Sequence, residues 1–254
     1  MGMNTNASSN GNWQELVDTL FPLGHQIVES NDFLCGKAQV GEETVGVIGT
    51  TGHAPIGIEI ALLQAQAVLG IVRDYPGRAI VILIDTQGQR LRHRDEMLGI
   101  NRYMAHLGKC IELARRQGHR IIGLVYDQAL SGGFITSGLM ADACYALPSA
   151  TIRVMGLPAM ARITKVPEER LIELAKSNPV FAPGPENYLR MGGLAAIWHG
   201  DLAEHLQQAL LAEEGADSDS LSDNRAALGA ERGGRNWSQR VVQAIVTGSH
   251  VNPS

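Results

Sequence analysis

The strongest constraint on this chain is a unit of buried strand, turn and amphipathic helix that recurs between residues 45 and 142 without any repeat of sequence. Its clearest strand is Ala79-Ile80-Val81-Ile82-Leu83-Ile84, an apolar run with no alternation, as a strand covered on both faces requires. Before it, 45–49 reads as a short buried strand feeding a helix in which Ile56, Ile60, Leu63, Ala67 and Ile71 recur at spacings of three and four. Pro76-Gly77 ends that helix. After the central run the strand stops at Asp85, and the loop Asp85-Thr86-Gln87-Gly88 opens a helix with the stripe Met97, Ile100, Met104, Leu107, Ile111 and Ala114. The last unit is Ile121-Ile122-Gly123-Leu124-Val125, then Ser131-Gly132-Gly133, then a short helix ending near Asp142. This alternation implies right-handed crossovers, a mainly parallel α/β sheet, and functional loops at the carboxyl ends of the strands.

Downstream, 143–147 and 151–155 read as paired strand segments, and a helix starts near Pro167 with Leu171, Leu174 and Ala175 on its apolar side. Pro179, Pro183 and Pro185 make a rigid irregular segment. A short apolar run at 194–198 and a helix at 203–211 come next. Residues 1–12, rich in Asn, Ser and Gly, read as a disordered N-terminus; 214–236, rich in Gly, Ala, Ser, Asp and Arg, reads as a flexible linker; 237–254 reads as a C-terminal helix and tail. One main domain is expected over 13–213, because a chain of 254 residues with 44% hydrophobic residues buries a full core without dividing.

Composition narrows the class of partner. A net charge of -5 gives no general attraction to nucleic acid or to anionic membranes. Asp85, Asp127 and Asp142 interrupt the longest apolar stretches well before the ~20 residues that span a bilayer. Cys35, Cys110 and Cys144 are widely spaced in apolar surroundings, the usage of reduced thiols, and the N-terminus lacks the regions of a secretory signal. A cytoplasmic protein is expected.

The sharpest chemical signal is Ser131-Gly132-Gly133. Glycine lets a backbone approach a ligand closely, and a helix start leaves amides without intrahelical acceptors, so such a turn can stabilise an oxyanion. Small residues needed only for helix packing explain the same string. A near match to the G-x-S-x-G elbow would make Ser131 a nucleophile with Asp142 and His199 as partners, but Ala129 stands where that motif has glycine. The glycines at 46, 49 and 52 have the wrong spacing for a dinucleotide turn. No phosphate-loop or zinc motif is present, so no metal ligand is assigned, and His53, His93 and His199 read as isolated. Arg90, Arg92 and Arg94 flank the Gly88 loop, either gripping a phosphate or acidic partner or forming a solvated helix entry.

The string Asp85-Thr86-Gln87-Gly88, long helix, Ser131-Gly132-Gly133, Asp142 and Val154-Met155-Gly156 resembles a carboxyltransferase domain. In biotin-dependent acyl-CoA carboxylases the related segment runs D-x-P-G, helix, strand, x-G-G-A, then V-M-G-P. Here Gln87 replaces the proline, Phe134 follows the glycine pair and Leu157-Pro158 follows Gly156. With these departures the chain resembles more closely the gamma subunits of biotin-independent malonate decarboxylases, over residues 13 to 211 and most specifically from Ala79 to Lys165.

The resemblance implies a crotonase-like fold of the ClpP/crotonase type, a spiral of ββα units. It implies pairing with a related beta subunit and decarboxylation of a malonyl thioester carried on the CoA-derived prosthetic arm of an acyl-carrier subunit. An acyl-carrier transferase subunit belongs to the same set of partners. No cofactor is expected on this chain and no biotin. The implied oxyanion donors are the amides near Gly133 and Phe134, with Gly88 as the other wall, Ser131 and Gly132 shaping the turn, and Gln87, Arg90, Arg92 and Arg94 as contacts to substrate or carrier. A scaffold and carrier-docking role, or a stand-alone enoyl-CoA hydratase or isomerase, are the alternatives; the latter lacks an evident pair of catalytic glutamates, since Glu96 and Glu112 read as solvated.

Overall fold

The computed structural model describes residues 13–175, 184–212, 223–234 and 236–248. The expectations for 1–12, for Pro179 and Pro183, for the linker portion 214–222 and for the last residues, 249–254, lie outside the described residues.

A first helix, α1 (Trp13–Leu20), precedes an antiparallel meander of β1 (Val28–Ser30), β2 (Phe33–Val40) and β3 (Glu43–Thr50). From β3 onward the sheet is parallel. After β4 (Ala54–Ile56), α2 (Ile58–Asp74) crosses to β5 (Ile80–Gln89), and α3 (His93–Met97) and α4 (Ile100–Arg116) cross to β6 (Ile121–Leu130). Then α5 (Ser131–Ser137) leads to β7 (Ala143–Ala146), and β9 (Ala196–Ile197) pairs beyond it. The order is β1-β2-β3-β5-β6-β7-β9, with β4 on β5 and β8 (Thr151–Arg153) on β6. One face packs Ile80, Ile82 and Ile84 against Ala65 and Val68 of α2, Leu107 and Ile111 of α4, and Phe134 of α5. The other packs Val81, Leu83, Ile122 and Leu124 against α1 and against Leu206 and Ala209 of a later helix.

The two central strands are long enough to pair twice. The first halves of β5 and β6 pair with β3 and β7, and their second halves with β4 and β8. Between the halves the register slips: two steps along β5, from Ile84 to Thr86, face four along β6, from Val125 to Ala129. A slip of this size bends the ladder and re-aims the strand ends beyond it. The strand therefore does not stop at Asp85; it runs on through the expected loop to Gln89, because β4 supplies a partner on the far side of the bend. For the same reason β7 and β8 do not pair with each other as expected. Each joins a different half of β6.

Other differences are local. The buried face of α2 is Ile60, Ala61, Ala65 and Val68, whereas Leu63 is exposed; the helix is apolar nearly all round, so its periodicity does not fix its inner face. The expected helix through Met97 is two helices, broken at Gly99 with φ +77, which leaves Met97 exposed. A helix not foreseen, α6 (Leu157–Thr164), precedes α7 (Glu168–Ala175). After α8 (Glu186–Arg190) and α9 (Leu202–Leu211), the expected linker contains α10 (Arg225–Glu231). That helix is clamped to the body: Arg225 donates to the Leu139 carbonyl at 2.7 Å, and Arg232 donates to the carbonyls of Leu189, Leu194 and Ala195. Composition suggested a linker because the stabilising contacts are made by arginines to backbone, which leave no apolar pattern. The last helix, α11 (Asn236–Thr247), lies where the sequence places it.

Candidate active site

The turn after β6 has no spacer: the strand ends at Leu130 and α5 begins at Ser131, whose φ of +53 reverses the chain. Leu130 is the N-cap, so the amides of Ser131, Gly132 and Gly133 occupy the first three helical positions, where no intrahelical acceptor exists. Phe134 is the fourth, and its amide faces the cap carbonyl in a regular helix. Its ring is buried and meets Tyr188 edge-on at 5.9 Å between centroids, anchoring the short helix.

The three glycines differ in what they permit. A β-carbon on Gly133 would lie 2.8 Å from Ile56 Cγ1, 3.1 Å from Thr86 Oγ1 and 3.2 Å from the Gly88 α-carbon. Gly88, at φ +94, would place one 2.8 Å from the Leu130 carbonyl oxygen and from Ser131 Cβ. These two glycines interlock the Gly88 segment with the turn. Gly132 has no such neighbour: its β-carbon would meet only Gln89 Oε1 at 3.8 Å, and its φ is not positive. Neither packing nor a positive φ requires glycine there.

Thr86 holds the interlocked pair in place. Its buried hydroxyl donates to the Ala54 carbonyl at 2.6 Å and accepts the Gly88 amide at 2.9 Å, tying β4 to β5 and withdrawing the Gly88 amide from any ligand. One residue earlier, at the register slip, the fully buried Asp85 accepts the His53 amide at 2.9 Å and the Gln128 amide at 3.4 Å. Burial pushes its carboxyl above the usual range, opposed by those amides and by the His53 ring. His53 Nε2 lies 3.1 Å from Asp127 and 3.6 Å from Asp85, so this histidine is not isolated as expected. The three groups have ligand atoms within 4.8 Å of one another, as a cation would need, yet both Asp85 oxygens already accept backbone amides and Asp127 pairs with the ring. The cluster acts as a staple across the bend.

Of the other residues singled out in the sequence, Gln87 is exposed beside Gly88. Arg92 and Arg94 pair with Glu59 in the first turn of α2 and with the buried Asp95, and Arg90 lies 3.8 Å from Glu59. These arginines join α3 to α2. Gln89, not singled out before, reaches between Gly132 and Glu96, donating to Glu96 at 3.2 Å. Glu112 is held by Arg115 and Arg116. The serine-hydrolase constellation does not form: Asp142 accepts the Ile121 amide at the start of β6, the opposite end of that strand from Ser131. Leu91, Met97, Ile135 and Val154 are exposed on segments just past the carboxyl ends of β5, β6 and β8, an apolar rim around the turn.

Residues 51–249 match the family model described as malonate decarboxylase gamma subunit. The malonyl-S-ACP:biotin-protein carboxyltransferase MADD of Malonomonas rubra is 30% identical over 244 residues, which cover 84% of this chain and 84% of MADD. One chain of a Pseudomonas malonate decarboxylase hetero-tetramer in complex with coenzyme A superposes with a TM-score of 0.73 at 25% identity, covering 92% of this chain and 97% of that one. A chain of the transcarboxylase 12S hexamer shares the fold, with a TM-score of 0.69 at 19% identity over 84% of this chain and 44% of that one. The bent sheet with its ββα crossovers is a crotonase-like carboxyltransferase fold. On the family match and the coverage of MADD, this chain belongs to the malonate decarboxylase gamma subunit family.

Proposed function

We propose that this chain, joined to a related beta subunit, removes carbon dioxide from a malonyl thioester held on an acyl-carrier subunit, leaving the acetyl thioester. Cleavage of the bond between the carboxylate carbon and C2 leaves its electron pair on C2, delocalised as an enolate onto the thioester oxygen, and one proton then returns to C2. Charge grows on that oxygen during the step, so donors aimed at it lower the barrier. The observation that carries the reading is Gly132: a glycine with no packing or backbone cause, set between two free amides at the start of α5. The amides of Gly132 and Gly133 are the donors we assign, with Gly88 as the opposite wall; Phe134 contributes its buried ring.

The apolar rim of Leu91, Met97, Ile135 and Val154 supports a partner over the turn, as solvent-exposed clusters of this kind mark docking faces. The related Pseudomonas enzyme forms an MdcD-MdcE hetero-dimer, which supports a beta subunit in that place. Among the described residues no helix is long and apolar enough to cross a membrane. MADD favours a second reading, in which the carboxyl group passes to a biotin protein; both readings share the enolate step and differ in the fate of the carboxyl group.

The test is reconstitution of this chain with its beta subunit and malonyl-loaded carrier, measuring release of labelled carbon dioxide with and without avidin. Turnover that needs both subunits and ignores avidin is the expected result. Full turnover by either subunit alone overturns the shared site, and inhibition by avidin selects the biotin reading.

A further inference from the structure

The turn has a second wall. Leu130 is its N-cap, and Leu130 is flanked on one side by Gly88 and on the other, across the β6–β8 ladder, by Arg153. Register partners in a ladder stand about 4.8 Å apart, so the base of the Arg153 side chain is one strand spacing from the cap residue of the turn. Along β8 the neighbouring Ile152 is fully buried in the core that contains Phe134, and alternation sends Arg153 to the opposite face; the next residue, Val154, lies past the strand and is exposed.

Arg153 is unlike the other arginines. Arg92, Arg94, Arg115 and Arg225 have carboxylate partners, Arg232 bonds to carbonyls and Arg78 lies on the Tyr75 ring. Arg102, Arg162, Arg170 and Arg190 are exposed to water. Among the described residues Arg153 alone is partly buried with no partner; its Nε is shut from solvent without an acceptor, as is that of Arg120, whose guanidinium bonds the Ala209 carbonyl instead. Burial lowers its pKa with no carboxylate opposing the shift. Holding a cation in this condition costs stability, so an anion arriving from outside the fold is the natural reason for keeping it.

We propose that Arg153 receives the free carboxylate of the malonyl thioester and thereby sets a preference for a dicarboxylic over a monocarboxylic acyl group. This rests on the reading of the Gly132 turn given above. The geometry of the substrate favours the carboxylate over the phosphate of the prosthetic arm. In a malonyl thioester one methylene separates the carboxylate from the carbonyl that the turn would hold, whereas the phosphate lies at the far end of the arm. The contact is made with the substrate and weakens as carbon dioxide leaves uncharged. It therefore strengthens substrate binding and acyl selectivity and does not accelerate the chemical step.

The experiment uses the complex of this chain with its beta subunit, comparing wild type, Arg153→Met and Arg153→Lys. The measurements are kcat and KM for malonyl-carrier, and inhibition by acetyl-carrier, which lacks the carboxylate. For Arg153→Met the expected result is a KM raised on the order of 10- to 100-fold, the usual worth of a charge-assisted hydrogen bond. In the same variant kcat does not fall, acetyl-carrier inhibition stays near wild type, and Arg153→Lys recovers part of the loss. Equal weakening of malonyl- and acetyl-carrier overturns the proposal in favour of the arm's phosphate or the carrier surface. Loss of beta-subunit association overturns it in favour of a partner carboxylate, and unchanged kinetics overturn it outright. Failure of the wild-type complex to decarboxylate malonyl-carrier instead removes the reading of the turn, so the two failures are distinct.

Discussion

Replacing Gly132 and Gly133 one at a time by alanine separates a glycine kept for packing from one kept for a ligand. At Gly133 the new methyl lands 2.8 Å from Ile56 Cγ1 and 3.2 Å from the Gly88 α-carbon, against a segment that Thr86 pins by two hydrogen bonds. Overpacking of this kind costs about 1–3 kcal/mol, and helix propensity returns about 0.5–1 kcal/mol, for a net loss of roughly 1–2 kcal/mol. At Gly132 the methyl meets only Gln89 Oε1 at 3.8 Å, an ordinary contact. The same substitution there stabilises the fold by about 0.4–1 kcal/mol through the unfolded chain, raising Tm by roughly 1–4 °C at this chain length. Activity moves the other way. On the proposed function the methyl stands where the thioester approaches and, although alanine keeps its amide, holds the oxygen off one donor; a contact of that kind is worth on the order of 100- to 1,000-fold in kcat, or about 2.7–4 kcal/mol. Thermal melts by circular dichroism and carbon dioxide release by the reconstituted complex read the two effects separately. A Gly132→Ala protein that is more stable and keeps kcat within about threefold of wild type refutes the assignment of the turn.

Groups around the turn give further outcomes. Thr86→Val leaves the Ala54 carbonyl and the Gly88 amide buried without partners, so denaturant unfolding should show a loss of about 2–4 kcal/mol that Thr86→Ser largely avoids; equal stability of the two variants would show that the hydroxyl is dispensable. Burial pushes the Cys144 thiol up to about 12, whereas an unfolded thiol titrates near ~8.5. The folded state keeps a proton that the unfolded state loses, so this contribution to stability is whole below about pH 8.5 and declines as pH rises toward the folded pKa, by at most ~1.4 kcal/mol per unit. Comparing wild type with Cys144→Ala between pH 8 and 10 isolates it, and identical slopes would contradict the buried-thiol assignment.

Much of the frame is legible in the residues alone. The uninterrupted run at 79–84 reads as a strand covered on both faces, and the α4 stripe Ile100, Met104, Leu107, Ile111 and Ala114 is buried as its spacing requires. The glycine turn between β6 and α5 is equally plain, since Ser131-Gly132-Gly133 stands between an apolar run and a helical pattern. Periodicity failed where both sides of an element are apolar, as in α2, and where polar residues hold structure by bonding to backbone, as Arg225 and Arg232 do in α10.

The alternation of strands and helices from β3 to β7, its parallel crossovers and the string that marks the family are written in the linear chain. That β5 and β6 bend and pair twice emerges only on folding, because a register slip is a relation between two strands and leaves no mark in either one. The bend brings Gly88 against Gly133, sets Thr86 between them and lays Arg153 beside Leu130. It also separates the meanings of two adjacent glycines. Gly133 is glycine because other parts of the chain touch it and Gly132 although none does, a distinction made by neighbours far away in sequence.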